Sequence, residues 1–249
     1  LEIHRNNGGD PYGIPWGLNR WVEYYDVMGV PTTWFDGRHL AEGNYDNDDQ
    51  QYAWYHALYE QRRMVPTDVS VRLGGVELDP NSHTYRVTAR VALDPDGTGK
   101  TVRVYILHAL DHYPPNDIQY RFCVRPPAPT QSPWWVADVP LTPGQRVDVQ
   151  RDFSFDSTSW AHQSNIAIVA WAQPPVSNGG NGQGAFWNSR LMTWPFTPLH
   201  DRGDLNCDGV VNFDDIDPFV LALSDPAGYQ AAYPNCDIMN ADCNGDGAV

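Results

Sequence analysis

The sequence has no apolar run approaching the roughly 18 residues that a membrane-spanning helix needs. Lysine is nearly missing: Lys100 stands alone against fifteen arginines, and all basic residues together number 16 against 31 acids. No basic stripe is there to neutralise phosphates, which excludes nucleic-acid binding. The chain has no Gly-x-Ser-x-Gly elbow, no phosphate loop and no dinucleotide fingerprint. It has no Cys-x-x-Cys either. No initiator methionine or signal segment opens it, and Leu1-Glu-Ile-His4 reads as the middle of a strand. The expectation is a fragment, cut at both ends.

The 249 residues are 41% hydrophobic and 12% aromatic, ample for one large core or two to three small ones. The net charge of -15 is unevenly placed: from His200 onward ten aspartates face one arginine, so this tail carries -9 of it. These acids are spaced rather than blocked, as ligands for a divalent cation would be. Asp204, Asn206, Asp208, Asn212 and Asp215 occupy positions 1, 3, 5, 9 and 12 of a twelve-residue loop, with Gly209 at 6 and the Val210 carbonyl at 7. That is the oxygen series of a calcium loop, with the glycine at the sharp turn. The pattern restarts at Asp242, Asn244, Asp246 and Ala248 (carbonyl) and stops with the chain at Val249, short of positions 9 to 12.

This tail, from Gly203 to Val249, resembles a type I dockerin, whose two calcium loops each precede a short helix. The resemblance implies calcium ligation by the residues named, Asn212 acting directly or through water, and a cohesin-like partner module or cell-surface scaffold. Phe213 and Asp214 depart from the small hydroxyl residues that many dockerins carry at positions 10 and 11. Pro218 departs too, and Asp217-Pro218 reads as the cap and first residue of a restarted helix. Three of the four cysteines (Cys207, Cys236, Cys243) lie in the tail. A disulfide among them fits an oxidising compartment, and its connectivity stays open. Asp215 at position 12 reaches less far than a glutamate would, so the loop is expected to hold calcium weakly, and with the disulfide this points to an extracellular or cell-surface protein.

Residues 1–65 read as α/β. Asn19–Val27 and Asp46–Met64 are expected helices. Between them, an apolar run after Pro31 closing on Asp36-Gly37 predicts strand, hairpin, strand. Tyr25 to Gly37 resembles the cis-proline region of thioredoxin-like folds, which implies a cis Val30-Pro31 bond facing an active-site dithiol that would precede Leu1. The alternative is a trans proline at a strand start. Residues 66–197 read as all-β, with alternating runs at 68–73, 85–93 and 101–107 and further strands near 120–124, 147–155, 166–172 and 186–192. Seven or so strands make an immunoglobulin-like sandwich the default. Ser70, Arg72, Arg86, Thr88 and Arg90 would face solvent. The two parts together resemble a bacterial outer-membrane-associated family that joins a thioredoxin-like half to such a sandwich.

Other chemistry is sparse. His108 and His112 could share a strand face or a strand end, with no third metal ligand in view. Asp138, Asp152 and Asp156 could pair for glycoside cleavage only if the fold joined them. Trp134-Trp135 in a proline-rich loop could stack on a glycan, against the commoner fate of packing. The reading is therefore a multidomain α+β chain: a truncated thioredoxin-like half (1–65), a β-sandwich (66–197), a linker at 198–202, and a small helical calcium-loop tail (198–249). The expected function is non-catalytic attachment through a calcium-bound tail, in polysaccharide-degrading assemblies if the dockerin resemblance extends that far. The alternatives are a thiol–disulfide oxidoreductase with its Cys-x-x-Cys upstream, and a polysaccharide-binding or polysaccharide-processing module.

Overall fold

A computed structural model describes residues 13–20, 25, 27, 32–43, 47–113, 121–128, 135–175, 184–234, 236–243 and 249. The structure is a mixed, mostly β protein. Helix α1 (Pro15–Asn19) opens with proline at its first position, where the missing N–H costs nothing. It comes earlier than the expected Asn19–Val27 helix, of which the described Tyr25 and Val27 are not helical. Strands β1 (Thr32–Phe35) and β2 (His39–Glu42) form the expected antiparallel hairpin. Asp36 and Gly37 hold φ of 53° and 66° at its turn, the left-handed values a tight hairpin requires. Helix α2 (Asp48–Arg63) is capped by Asn47, whose side chain accepts from the N–H groups of Asp49 and Gln50. Arg62 reaches back from its last turn with two bonds to Asp36, at 3.0 and 2.5 Å. Leu1–His4 and Pro31 lie outside the described residues.

The body is a two-sheet sandwich. One sheet runs β3 (Val69–Asp79), β4 (Thr84–Leu93), β8 (Arg146–Ser154). The other centres on β5 (Lys100–Leu110). One edge of β5 takes β9 (Ile166–Gln173), followed by β10 (Asn188–Thr193). Its other edge is shared by β6 (Cys123–Val124) and β7 (Ala137–Leu141). Strand β7 did not show in the alternation because Pro140 interrupts it, and an edge strand tolerates that proline. Val87, Ala89, Val91, Val104, Ile106, Phe153 and Ile168 fill the space between the sheets.

Strand β5 is buried on both faces, unlike a half-exposed strand. Its outward Tyr105 and Leu107 pack with Trp171, Ile14 and Trp16 in a second core. Arg20, 2% exposed, closes this layer. Its guanidinium donates to the Tyr105 and Tyr25 hydroxyls at 3.2 and 3.0 Å and lies 4.8 to 5.9 Å from the rings of Trp16, Tyr25, Tyr105 and Trp171. The aromatic faces balance a charge that burial alone would penalise.

The segment expected as a free linker is a packed strap. Gly75 N–H donates to the Thr197 carbonyl at 2.7 Å, and Leu199 lies directly on Gly74. Asp201 pairs with Arg90 and, at 3.2 Å, with Arg146. The outer face of the β3–β4–β8 sheet is therefore partly covered rather than open to solvent as expected. Its cross-strand pairs, Arg86–Asp152 and Arg90–Asp148, remain at 2.8 and 2.7 Å. Beyond the strap come a short 3-10 turn (Phe213–Asp215), α4 (Ile216–Ser224) and α5 (Pro226–Ala232), around a third core of Leu205, Ala222, Tyr229, Cys236 and Ala241. The helix does not restart at Asp217-Pro218. Pro218 sits within the first turn of α4, where the backbone N–H would lack an intrahelical partner anyway.

Candidate metal centre

The loop from Asp204 to Asp215 is wound by its own side chains. Asn206 Oδ1 accepts from Asp208 N at 2.9 Å, and Asp208 Oδ1 accepts from Val210 N at 2.8 Å. Short side chains bonding the backbone two residues on make successive Asx turns, which bend the chain around a centre. Gly209 takes φ 89° at the sharpest point. The last acid closes the ring: Asp215 Oδ1 accepts from Leu205 N at 2.7 Å and Asn206 N at 3.1 Å, and its Oδ2 accepts from Asn212 N at 2.8 Å. Burial pushes the Asp215 carboxyl up, but these backbone donors outweigh it and hold the group below the usual carboxylate range.

Asp204 is the deepest member, 1% exposed. Its Oδ2 accepts from Gly209 N at 3.1 Å and lies 3.2 Å from His200 Nδ1. Its Oδ1 is buried with no hydrogen-bond partner. A buried carboxylate oxygen left without a donor is costly, and a cation would relieve that cost. All side-chain donors at the ligand positions are oxygens, as a hard cation such as calcium prefers. His200, Asp204 and Cys207 also offer one ligand atom each within 4.8 Å of one another. Cys207 is committed elsewhere, in a disulfide to Cys236 with Cα atoms 5.8 Å apart. That sulfur is no thiolate, so the trio is not a soft-metal site. Of the three tail cysteines whose pairing was open, the exposed Cys243 is left as a free thiol.

Of the second ligand series, Asp242 is buried at the end of a 3-10 turn (Ile238–Ala241), and Asn244, Asp246 and Ala248 lie outside the described residues. Asn240 was missed by the sequence reading. Fully buried, it donates from Nδ2 to the Asp204 carbonyl at 3.0 Å and accepts at Oδ1 from Arg72 of the sandwich at 2.5 Å. No ligand-position pattern includes it, because what it holds is the backbone of Asp204.

The remaining candidates disperse. His108 is fully buried in the sandwich with Nδ1 2.9 Å from the Pro126 carbonyl, while His112 sits past the strand end beside Asp111. Asp138 is bonded to Arg103, Asp152 to Arg86, and Asp156 caps the helix α3 (Ser157–Ala161). None of the three is poised for acid–base work against another. Trp135 has the Arg103 guanidinium 3.5 Å from its ring centre, and Trp134 lies outside the described residues. Among the described residues no helix is long and apolar enough to cross a membrane.

No protein-family model matches the chain, and no curated protein does. Among solved structures it is similar to HBP35 of Porphyromonas gingivalis, with a TM-score of 0.56 and 12% identity over 77% of this chain and 62% of that one. The chain thus spans under two thirds of that relative's length, and the likeness is one of fold. A domain of the outer membrane lipoprotein Omp28 from the same organism aligns at a TM-score of 0.35 and 11% identity, over 51% of this chain and 88% of that one.

Proposed function

We propose that this chain is a non-catalytic, calcium-binding modular protein of the cell surface or extracellular space, in which the dockerin-like tail attaches the sandwich body to a protein partner. The observation that carries the reading is the unpartnered, buried Oδ1 of Asp204 at the first position of a complete oxygen series. Asp204, Asn206, Asp208, the Val210 carbonyl, Asn212 and Asp215 would hold the ion, and Asp242 begins a second such site. Several carboxylates drawn around one centre repel each other, so metal binding is coupled to ordering the tail. The Cys207–Cys236 disulfide supports an oxidising compartment, where calcium is also plentiful. Attachment is supported by an exposed apolar stripe beside the loop: Phe213, Ile216, Val220 and Leu223 recur at helical spacing and are 87%, 51%, 55% and 53% exposed. A cohesin-like module is the partner that the dockerin resemblance implies.

Calorimetric titration of the chelator-treated chain with calcium tests the metal reading, beside an Asp204→Ala/Asp208→Ala variant. The natural chain should show saturable binding that the variant loses. Equal heats from the two would sink the ligand assignment.

A further inference from the structure

At the junction of tail and sandwich three arginines from separate segments line one cavity of about 170 Å³: Arg72 from β3, Arg190 from β10 and Arg202 from the strap. The hydroxyl-bearing Ser70 and Ser189 line it too, with the carboxylates of Asp237 and Asp242. The cavity forms where the edges of the two sheets approach and the tail covers them. Its lining is rich in hydrogen-bond donors, and its cations outnumber its acids by three to two.

The pairing of these charges is incomplete. Arg72 donates to a neutral amide, Asn240 Oδ1. The side chains of Arg190 and Arg202 make no hydrogen bond or ion pair among the described residues. Asp237 Oδ1 is already engaged by Met239 N, capping the 3-10 turn that follows. Burial and then the neighbouring positive charge of Arg202 lower the basicity of Arg72, and the nearby carboxylates of Asp237 and Asp201 offset only part of this. Half-buried Arg72 and Arg202, with the more exposed Arg190 on the same cavity, offer an anion cations from three segments. Guanidinium forks match the paired oxygens of sulfate, phosphate or carboxylate. The cavity has room for one oxyanion and part of its hydration.

We propose that this junction is a binding site for a small oxyanion, held by Arg72, Arg190 and Arg202 with Ser70 and Ser189 as supporting donors. The site is separate from the Asp204–Asp215 loop. Its occupant would tie the tail to both sheets by bridging three segments.

The test is calorimetric titration of the whole chain with sodium sulfate and with sodium acetate. Sodium chloride at matched ionic strength is the blank, and calcium is kept below the solubility limit of its sulfate. Saturable one-to-one binding of sulfate, acetate or both is expected, and which of them binds tells a tetrahedral from a planar ligand. Arg190→Gln and Arg202→Gln should each weaken binding about tenfold or more, the worth of one charged hydrogen bond. Neither arginine has a described partner to lose, so both variants should keep the fold of the parent. Arg63→Gln, on α2, is the control and should change nothing. The proposal is overturned if neither anion binds saturably. It is also overturned if Arg190→Gln and Arg202→Gln leave the affinity unchanged, or if Arg63→Gln weakens binding as much as they do. Calcium binding by Asp208→Ala against the parent is read separately, so failure of the loop assignment leaves this result intact.

Discussion

Asn240 holds the backbone carbonyl of Asp204 at 3.0 Å, from a position fully sealed from solvent. The first candidate ligand of the loop is thus fixed by a residue 36 positions later in the chain. The same amide reaches Arg72 at 2.5 Å, so one buried side chain joins the loop to the sandwich.

Asn240→Ala should therefore cost both stability and metal affinity. It leaves the Asp204 carbonyl without this donor and Arg72 without its acceptor. The penalty for orphaned buried polar groups is about 2–3 kcal/mol. Urea unfolding followed through the tail, with a calcium titration on the same variant, checks it. An unchanged calcium affinity would show that the carbonyl needs no such hold.

The disulfide makes a second expectation. Cys207 and Cys236 are 29 residues apart, and Cys207 holds φ 58° inside the loop. Closing a loop of that size stabilises by about 3–4 kcal/mol in the chain-entropy account. Reduction, or Cys236→Ser, should loosen the tail and leave the sandwich folded. Thiol labelling of the native chain should modify the exposed Cys243 alone, and the buried Cys123 only after unfolding. Rapid labelling of four thiols without reductant would refute the pairing.

Gly74 tests the strap. A Cβ there would meet the backbone N and Cα of Leu199, which cannot give way as a flexible side chain could. Gly74→Val should displace the strap and weaken the neighbouring bond from Gly75 to the Thr197 carbonyl. The sandwich should survive, because its core lies on the other side of β3. Limited proteolysis should then cut faster between residues 196 and 203. Cleavage at the parental rate would mean that the strap is held by the Asp201 ion pairs alone.

His108 sets a pH dependence. Burial drives its pKa down to about 4, from an ordinary value of 6.5. The unfolded chain therefore binds the proton more readily across that window, so stability rises with pH there. The contribution is full above about pH 6.5 and drains away as pH falls toward 4, roughly 3 kcal/mol in all. The ion-paired Asp148 and Asp111 are held below the usual carboxylate range and lose stability in the same direction at lower pH. The comparison that isolates the histidine is the parent against His108→Phe. The parent's denaturant midpoint should fall more steeply than the variant's as pH drops from 7 to 4.5, and parallel curves would refute the assignment.

Much of the architecture was legible along the chain because it is local. The Asp36-Gly37 turn, the helix beginning after Asn47 and the alternating strands β3, β4 and β8 follow from short-range periodicity and capping. So does the spacing of Asp204, Asn206, Asp208, Asn212 and Asp215. What only the tertiary structure decided comes from contacts distant in sequence. Strand β5 is covered on both faces because Arg20 and Trp16 arrive from nearly ninety residues away. Cys207 pairs with Cys236 because the turn after α5 brings that residue beside the loop. The expected linker is a strap because two glycines on β3 leave room for Phe196 and Leu199, and Gly75 N–H bonds the Thr197 carbonyl. Sequence spacing specifies which oxygens can face one centre. Which buried atom is left without a donor, and which arginines are left without an acid, depends on what the rest of the fold packs against them.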